Sequence, residues 1–277
     1  MSRRSPEHGS TSTALALTVF LLFFTAITVY IFIKKLWWFP PAITDEGHEF
    51  DAQFFRTLVI TGIVFVGAQV GLALAVFRYR ERGKPASHFE GHTGMEVVWT
   101  LATLVLFVGL GIYAEKGWAS VHFIGASPGA LPIEVTAQQF AWNFRYAGPD
   151  GKFGRTKPEL VSASTGNPVG IDPADPNGRD DIVSPGEIAV PAGREVDLLL
   201  KSLDVTHSFY VRELRLKQDA VPGMEIHLHF TANDPGTYEL ACAQLCGLGH
   251  HKMRATFKVL SEPDFEKWLQ QQEAANQ

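Results

Sequence analysis

Three stretches of the chain are apolar for long enough to cross a bilayer, which takes about 20 residues at the helical rise. They span residues 14–33, 58–77 and 97–114. The first follows Arg3 and Arg4, as a secretory signal would, but its apolar run exceeds the roughly 7 to 15 residues of a signal core. It also leads into Lys34, Lys35, Trp37 and Trp38 where a cleavage site would need small residues, so it is expected to be an uncleaved span. From Leu131 the period changes to short alternating runs broken by turn residues, at 132–137, 187–191, 195–201 and 237–241. About 130 residues of strands and turns without a long helical pattern predict a β-sandwich or Greek-key barrel. An amphipathic stretch at 262–271 predicts a short terminal helix. The expected class is therefore α+β: a tail over 1–13, a membrane domain over 14–115 and an external all-β domain over 116–277.

Orientation follows from Lys and Arg in the short flanking segments. Arg3, Arg4, Arg78, Arg80, Arg82 and Lys84 lie on one side, against Lys34, Lys35, Arg56 and Lys116 on the other. Six against four puts the N-terminus and the second link in the cytoplasm and the β domain outside. Trp37, Trp38 and Trp118 then fall at the outer interface.

Composition sharpens this picture. Acidic and basic residues balance at nine each through Glu115, so the whole net charge of -5 falls in the β domain. A chain that is 46% hydrophobic is not disordered, two cysteines cannot staple a scaffold, and the absence of a basic surplus argues against a nucleic-acid binder. Residues 166–186 hold four prolines and Asp172, Asp175, Asp180 and Asp181 against the lone Arg179. That is loop chemistry with an acidic face, either a solvated turn or a surface that steers a basic partner.

The chemistry concentrates in Cys242-x3-Cys246-x3-His250-x2-Met253, which holds both cysteines of the protein. Thiolate, imidazole and thioether together are soft ligands that suit copper over magnesium, calcium or manganese. A Cys242–Cys246 disulfide with bystander His250 and Met253 is the bland alternative. Zinc fits less well, because structural zinc takes its ligands from Cys and His. A further histidine, His207, ends an apolar strand-like run in Asp204-Val-Thr-His207-Ser-Phe. Two thiolates and two imidazoles would suffice for a pair of coppers bridged by both sulfurs, sharing one electron with little rearrangement on reduction.

With that run, the Asp-Val-x-His-Ser-Phe segment, the block Leu216-Lys-Gln-Asp219-Ala-Val-Pro222-Gly223, the Glu96-Val-Val-Trp99-Thr100 opening of the third span and Gln139-x-x-Trp142, the chain resembles subunit II of cytochrome c oxidase over about residues 54–268. The resemblance implies a cupredoxin-like external domain holding the dinuclear copper A centre. Cys242 and Cys246 would bridge two coppers, His207 and His250 would each ligate one, Met253 would be a weak axial ligand and Gln244 would offer its backbone carbonyl. The family usually has Glu at position 244, where the side chain helps to bind magnesium, so magnesium is doubtful here. The family's aromatic patch often reads Gln-Trp-x-Trp, whereas this chain has Gln139-Phe140-Ala141-Trp142, which leaves Phe140 or Trp142 to receive the electron. Glu96, an acid at the cytoplasmic mouth of a span, implies proton uptake toward the K pathway of subunit I, with a helix N-terminal carboxylate as the simpler alternative. Thr103 stands where the family often has Pro.

The implied role is the electron-accepting subunit of an oxidase in a bacterial inner membrane, without catalysis of its own. Its partners would be the haem-copper subunit I, other oxidase subunits and a separate c-type cytochrome, since no Cys-x-x-Cys-His occurs. The copper A subunit of a nitric oxide reductase is the main alternative. A quinol oxidase subunit would not need the ligand set, and a plain copper carrier would not need several spans. His227 and His229, alternating on one strand face, are expected to be a solvent-facing pair. His251 is expected to be exposed, and His88 and His92 have no evident partner.

Overall fold

The computed structural model describes residues 11–82, 88 and 90–276, so Arg3, Arg4 and Lys84 of the orientation count lie outside the described residues. By contacts the chain divides into two units, 1–39 with 52–113, and 40–51 with 114–277.

The first unit is helical. Helix α1 spans Thr11–Ile33, α2 spans Asp45–Arg78 and α3 spans Thr93–His122, each containing one of the apolar stretches and each long and apolar enough to cross a membrane. Large apolar side chains such as Phe20, Phe23, Ile63, Leu74, Val105 and Phe107 point outward. That is costly in water and ordinary in lipid. Five threonines keep their hydroxyls paired in this setting: Thr18, Thr25, Thr28, Thr61 and Thr103 donate to the carbonyl four residues back, at 2.7–2.9 Å. Thr103 thus bonds the Trp99 carbonyl and α3 runs through this position unbroken.

The second unit is a β-sandwich of ten strands: β1 Leu131–Gln138, β2 Ala141–Tyr146, β3 Ile182–Pro185, β4 Glu187–Pro191, β5 Glu195–Ser202, β6 His207–Val211, β7 Leu216–Ala220, β8 Ile226–Thr231, β9 Gly236–Cys242 and β10 Arg254–Leu260. They form two five-stranded sheets, ordered β3-β2-β1-β5-β8 and β4-β10-β9-β6-β7. Alternation sets the faces: in β5, Val196, Leu198 and Leu200 are buried while the residues between them are not. Opposed by Phe209, Val211, Leu240 and Phe257 of the other sheet, they make one core. Helix α4, Glu262–Asn276, extends the expected terminal helix and packs Phe265 and Trp268 against Tyr146.

Two stretches join this unit from elsewhere in the sequence. Residues 40–51 dock through the Ile43 amide on the Glu213 carbonyl, at 3.0 Å, and through Arg215, whose guanidinium grips both carboxylate oxygens of Asp51 at 2.7 and 2.9 Å. The long loop between β2 and β3 folds over buried Arg145, which pairs with Glu134 at 3.0 Å and with Asp181 at 3.2 Å. The same loop corrects the expectation of an acidic steering face or a solvated turn. Asp172 is buried against Lys157 at 2.9 Å, and Asp175 meets Arg155 at 3.2 Å. Asp172, Asp175 and Asp181 are held by cations of the same loop and of β2, and Asp180 accepts the Asp150 amide at 3.2 Å, so they tie the loop down.

Candidate metal centre

The site lies at one end of the second sheet, where β6 begins and β9 ends. Pairing places Phe209 of β6 opposite Cys242 of β9, which brings His207 beside the cysteine loop. That loop leaves β9 at Cys242 and returns at Met253, and the Cys242 amide donates to the Met253 carbonyl at 3.1 Å, closing its neck.

Six donor groups meet there. Cys242 Sγ is 3.8 Å from Cys246 Sγ, 3.9 Å from His207 Nδ1 and 3.2 Å from the Gln244 carbonyl oxygen. Cys246 Sγ is 3.7 Å from His250 Nδ1 and 3.8 Å from Met253 Sδ. The disulfide alternative is not what the structure shows, since both thiols are free. Two ligand atoms about 2.0–2.3 Å from a shared metal, at a tetrahedral angle, lie roughly 3.5–3.8 Å apart, which is close to the spacing seen. Among the described residues, His207, Cys242 and Cys246 are the group of His, Cys or carboxylate side chains whose donor atoms fall together within 4.8 Å. His207, Cys242, Cys246 and Met253 are buried, while the Gln244 side chain is exposed. Burial, with the neighbouring Cys242 adding to it, pushes the Cys246 thiol up to about 11. Without a cation the pair resists ionisation, and a metal would draw it into the thiolate form.

Two residues whose roles the sequence did not disclose hold this arrangement. Asp204 accepts from His207 Nε2 at 2.8 Å and from the Gln139 amide at 2.7 Å. The first contact fixes the ring so that Nδ1 faces the sulfurs, the usual arrangement behind a metal-bound histidine. Gln139 donates its side-chain amide to the Cys246 carbonyl at 2.6 Å. The Asp-x-x-His spacing was the available signal for Asp204, and only the tertiary fold reveals Gln139.

The aromatic candidates separate. Trp142 is fully buried, edge-on to His207 with ring centroids 6.2 Å apart and to Phe209 at 6.1 Å. Phe140 is 39% exposed and lies on the backbone of the cysteine loop. A Cβ on Gly249 would sit 2.4 Å from the Phe140 ring, and one on Gly247, at φ +133°, 3.1 Å from it. Glycine at both positions is what lets the ring settle there. His251 is exposed. Glu96 lies in the first turn of α3 with an exposed side chain, and His92 accepts the Met95 amide through Nδ1 at 3.2 Å. His92 thus caps α3, a partner that the sequence left unassigned.

The profile described as cytochrome c oxidase subunit II, periplasmic domain, matches residues 179–260, which include every expected ligand. The alternative cytochrome c oxidase subunit 2 of Bradyrhizobium diazoefficiens is 35% identical over 262 residues, covering 94% of this chain and 92% of that protein. The chain belongs to the cytochrome c oxidase subunit II family. The cytochrome c oxidase subunit 2 of Thermostichus vulcanus is 31% identical over 263 residues, covering 85% of this chain and 78% of that one. Among solved structures, the periplasmic domain of subunit II of cytochrome oxidase from Bradyrhizobium japonicum covers 55% of this chain and 100% of its own, at 25% identity and a TM-score of 0.40. Three apolar helices followed by a cupredoxin-like β-sandwich are the architecture of this family member.

Proposed function

We propose that this chain is the electron-accepting subunit of a cytochrome c oxidase, holding two coppers between Cys242, Cys246, His207, His250, Met253 and the Gln244 carbonyl. The observation that carries the reading is the donor set itself: two unpaired thiols, two imidazoles and a thioether linked by spacings of 3.7–3.9 Å. When bound, the coppers supply a one-electron carrier shared over two metals. The protein supplies the rest. Asp204 fixes the His207 ring, Gln139 anchors the cysteine loop, and the buried core behind them limits rearrangement and keeps water away.

Phe140, exposed above the loop, receives the electron from a c-type cytochrome, and Trp142 serves as packing behind His207. The partner is a haem-copper subunit I, in which oxygen becomes water with proton translocation, and Glu96 at the start of α3 takes up protons for it. The β unit then faces the periplasm of a bacterial inner membrane. Relatives named cytochrome c oxidase subunit 2 favour the oxidase over a nitric oxide reductase. Because Gln244 lacks a carboxylate, magnesium binding at this position is weak or absent.

Metal analysis of the purified complex tests both metal statements. Two coppers per chain, absent from a Cys242→Ala/Cys246→Ala variant, are expected. Stoichiometric magnesium dependent on Gln244 would overturn the second statement.

A further inference from the structure

The outer face of β5 and β8 carries chemistry that the cysteine loop does not use. Leucines and valines of these strands fill the core, while Glu195, Asp197, His227 and His229 turn the other way. The antiparallel register sets Asp197 opposite His229. The rings bond along the diagonals: His227 Nδ1 lies 3.0 Å from Asp197 Oδ1, and His229 Nδ1 lies 3.3 Å from Glu195 Oε1. The stretch that follows α3 lies over this face, held by the Ser127 amide donating to Glu195 Oε2 at 3.2 Å. Between them is a cavity of about 360 Å³ with His122, Asp197, His227 and His229 on its walls. His122 stacks on Trp118 at 4.9 Å, and its Nδ1 is 3.0 Å from the Trp118 carbonyl oxygen.

All three imidazoles thus turn Nδ1 toward an oxygen, with a hydrogen bond at His122 and His227 and a 3.3 Å charge contact at His229. A carbonyl or carboxylate oxygen has no proton to give, so His122 and His227 donate from Nδ1, and in the neutral ring Nε2 then carries a free lone pair. Histidines that bind metals characteristically give the other ring N–H to a carboxylate or a backbone carbonyl. His229 Nε2 adds an independent sign: it is sealed from solvent and has no hydrogen-bond partner. Such an atom carries a desolvation cost that a ligand would remove. Plain cross-strand ion pairing accounts for the Asp197 and Glu195 contacts, but not for the orphaned nitrogen.

We propose that His122, His227 and His229 form a second metal site for one zinc ion, bound through Nε2 of each ring with water in the fourth position. The three-nitrogen set without a thiolate separates it from the soft-ligand loop, and imidazole suits zinc. The rings do not converge on one point in this arrangement, since no such group falls within 4.8 Å among the described residues. His122 and His227 are exposed, and binding draws them onto half-buried His229. The ion would tie the end of α3 to β8, the outermost strand of its sheet. This site is separate from the copper reading and does not depend on it.

The test uses the full-length chain in detergent, copper-loaded so that its thiolates are occupied, and titrates it with Zn²⁺ alone by calorimetry. One further equivalent is expected to bind, and to be lost in His229→Ala and in His227→Ala. Asp197→Ala, which removes an orienting acceptor but no ligand, is expected to weaken binding about 10- to 100-fold. An unchanged copper spectrum in each variant shows that the fold is intact. A Cys242→Ala/Cys246→Ala chain, folded by circular dichroism, is expected to keep the zinc equivalent whether or not the copper reading holds. No uptake by the wild type, or equal uptake by wild type and a His227→Ala/His229→Ala chain, would overturn the proposal.

Discussion

Arg145 and Cys246 are both buried in the β unit among polar neighbours, yet their surroundings are built on opposite principles. Around Arg145 the neighbours carry offsetting charge: Glu134 and Asp181 flank the guanidinium, and Lys201 meets Glu134 from the other side at 2.7 Å. Around Cys246 the neighbours are soft donor atoms: Cys242 Sγ at 3.8 Å, His250 Nδ1 at 3.7 Å and Met253 Sδ at 3.8 Å. A network whose charges offset one another holds a loop on a sheet. A cluster of soft donors without such offsetting charge has the chemistry to hold a metal.

Substitutions can break that distinction, and the largest effect belongs to the soft-donor cluster. Cys246→Ala is expected to abolish dinuclear copper and electron uptake altogether, with the fold retained, as read by copper content and circular dichroism. Arg145→Ala is expected to do the reverse. It strands buried Asp181, takes from Glu134 one of its two cations and should cost about 3–5 kcal/mol, measured by denaturant unfolding, while the folded fraction keeps an unaltered copper spectrum. If Arg145→Ala removed copper as well, the two clusters would not be separable.

Glu96→Gln sharpens the comparison from outside the β unit. It should lower turnover and pumping of the assembled oxidase severalfold without changing the copper spectrum, and unimpaired pumping would exclude the proton role. Phe140→Ala should slow oxidation of the donor cytochrome, seen by stopped flow. Gly249→Ala, which forces the same ring off the loop, should act in the same direction. Unchanged rates in both would remove Phe140 from the electron path.

The smallest expected effect is one of pH. Burial raises the Cys246 thiol from 9.0 to about 11 in the folded metal-free state, so the folded form holds its proton more tightly than the unfolded chain. This contribution to stability is full below pH 9 and is lost as pH rises through about 11. Burial likewise raises the Asp181 carboxyl from 3.8 to about 6 against the pull of Arg145, and its contribution is lost as pH rises through that lower window. Metal loading should erase the upper window, because a ligated thiolate no longer titrates, and leave the lower one. Unfolding curves of the metal-free and loaded chain across both windows check this.

What the sequence disclosed follows the same division. Cys242, Cys246, His250 and Met253 lie within twelve positions, so their chemistry was legible as a motif, and His207 was marked by its Asp-x-x-His segment. The apolar spans and the alternation of β5 were legible because burial imposes a period on the chain itself. The acidic loop misled because Arg145, Arg155 and Lys157, which pair with its carboxylates, lie well upstream, and charge counted along a segment does not show who faces whom. His122, Asp197 and His229 could not be grouped from sequence either, since the β5–β8 register and the path of the chain after α3 bring them together. Gln139 reaches the Cys246 carbonyl across 107 positions, a separation no local pattern reports.

On the proposed function, Cys242 and Cys246 would together hold two coppers that share one electron. Electron paramagnetic resonance of the oxidised, copper-loaded full-length chain tests it most directly. A seven-line copper hyperfine pattern is expected, from one unpaired electron spread over two equivalent nuclei, lost in Cys242→Ala and in Cys246→Ala. A four-line pattern from a single copper would contradict it.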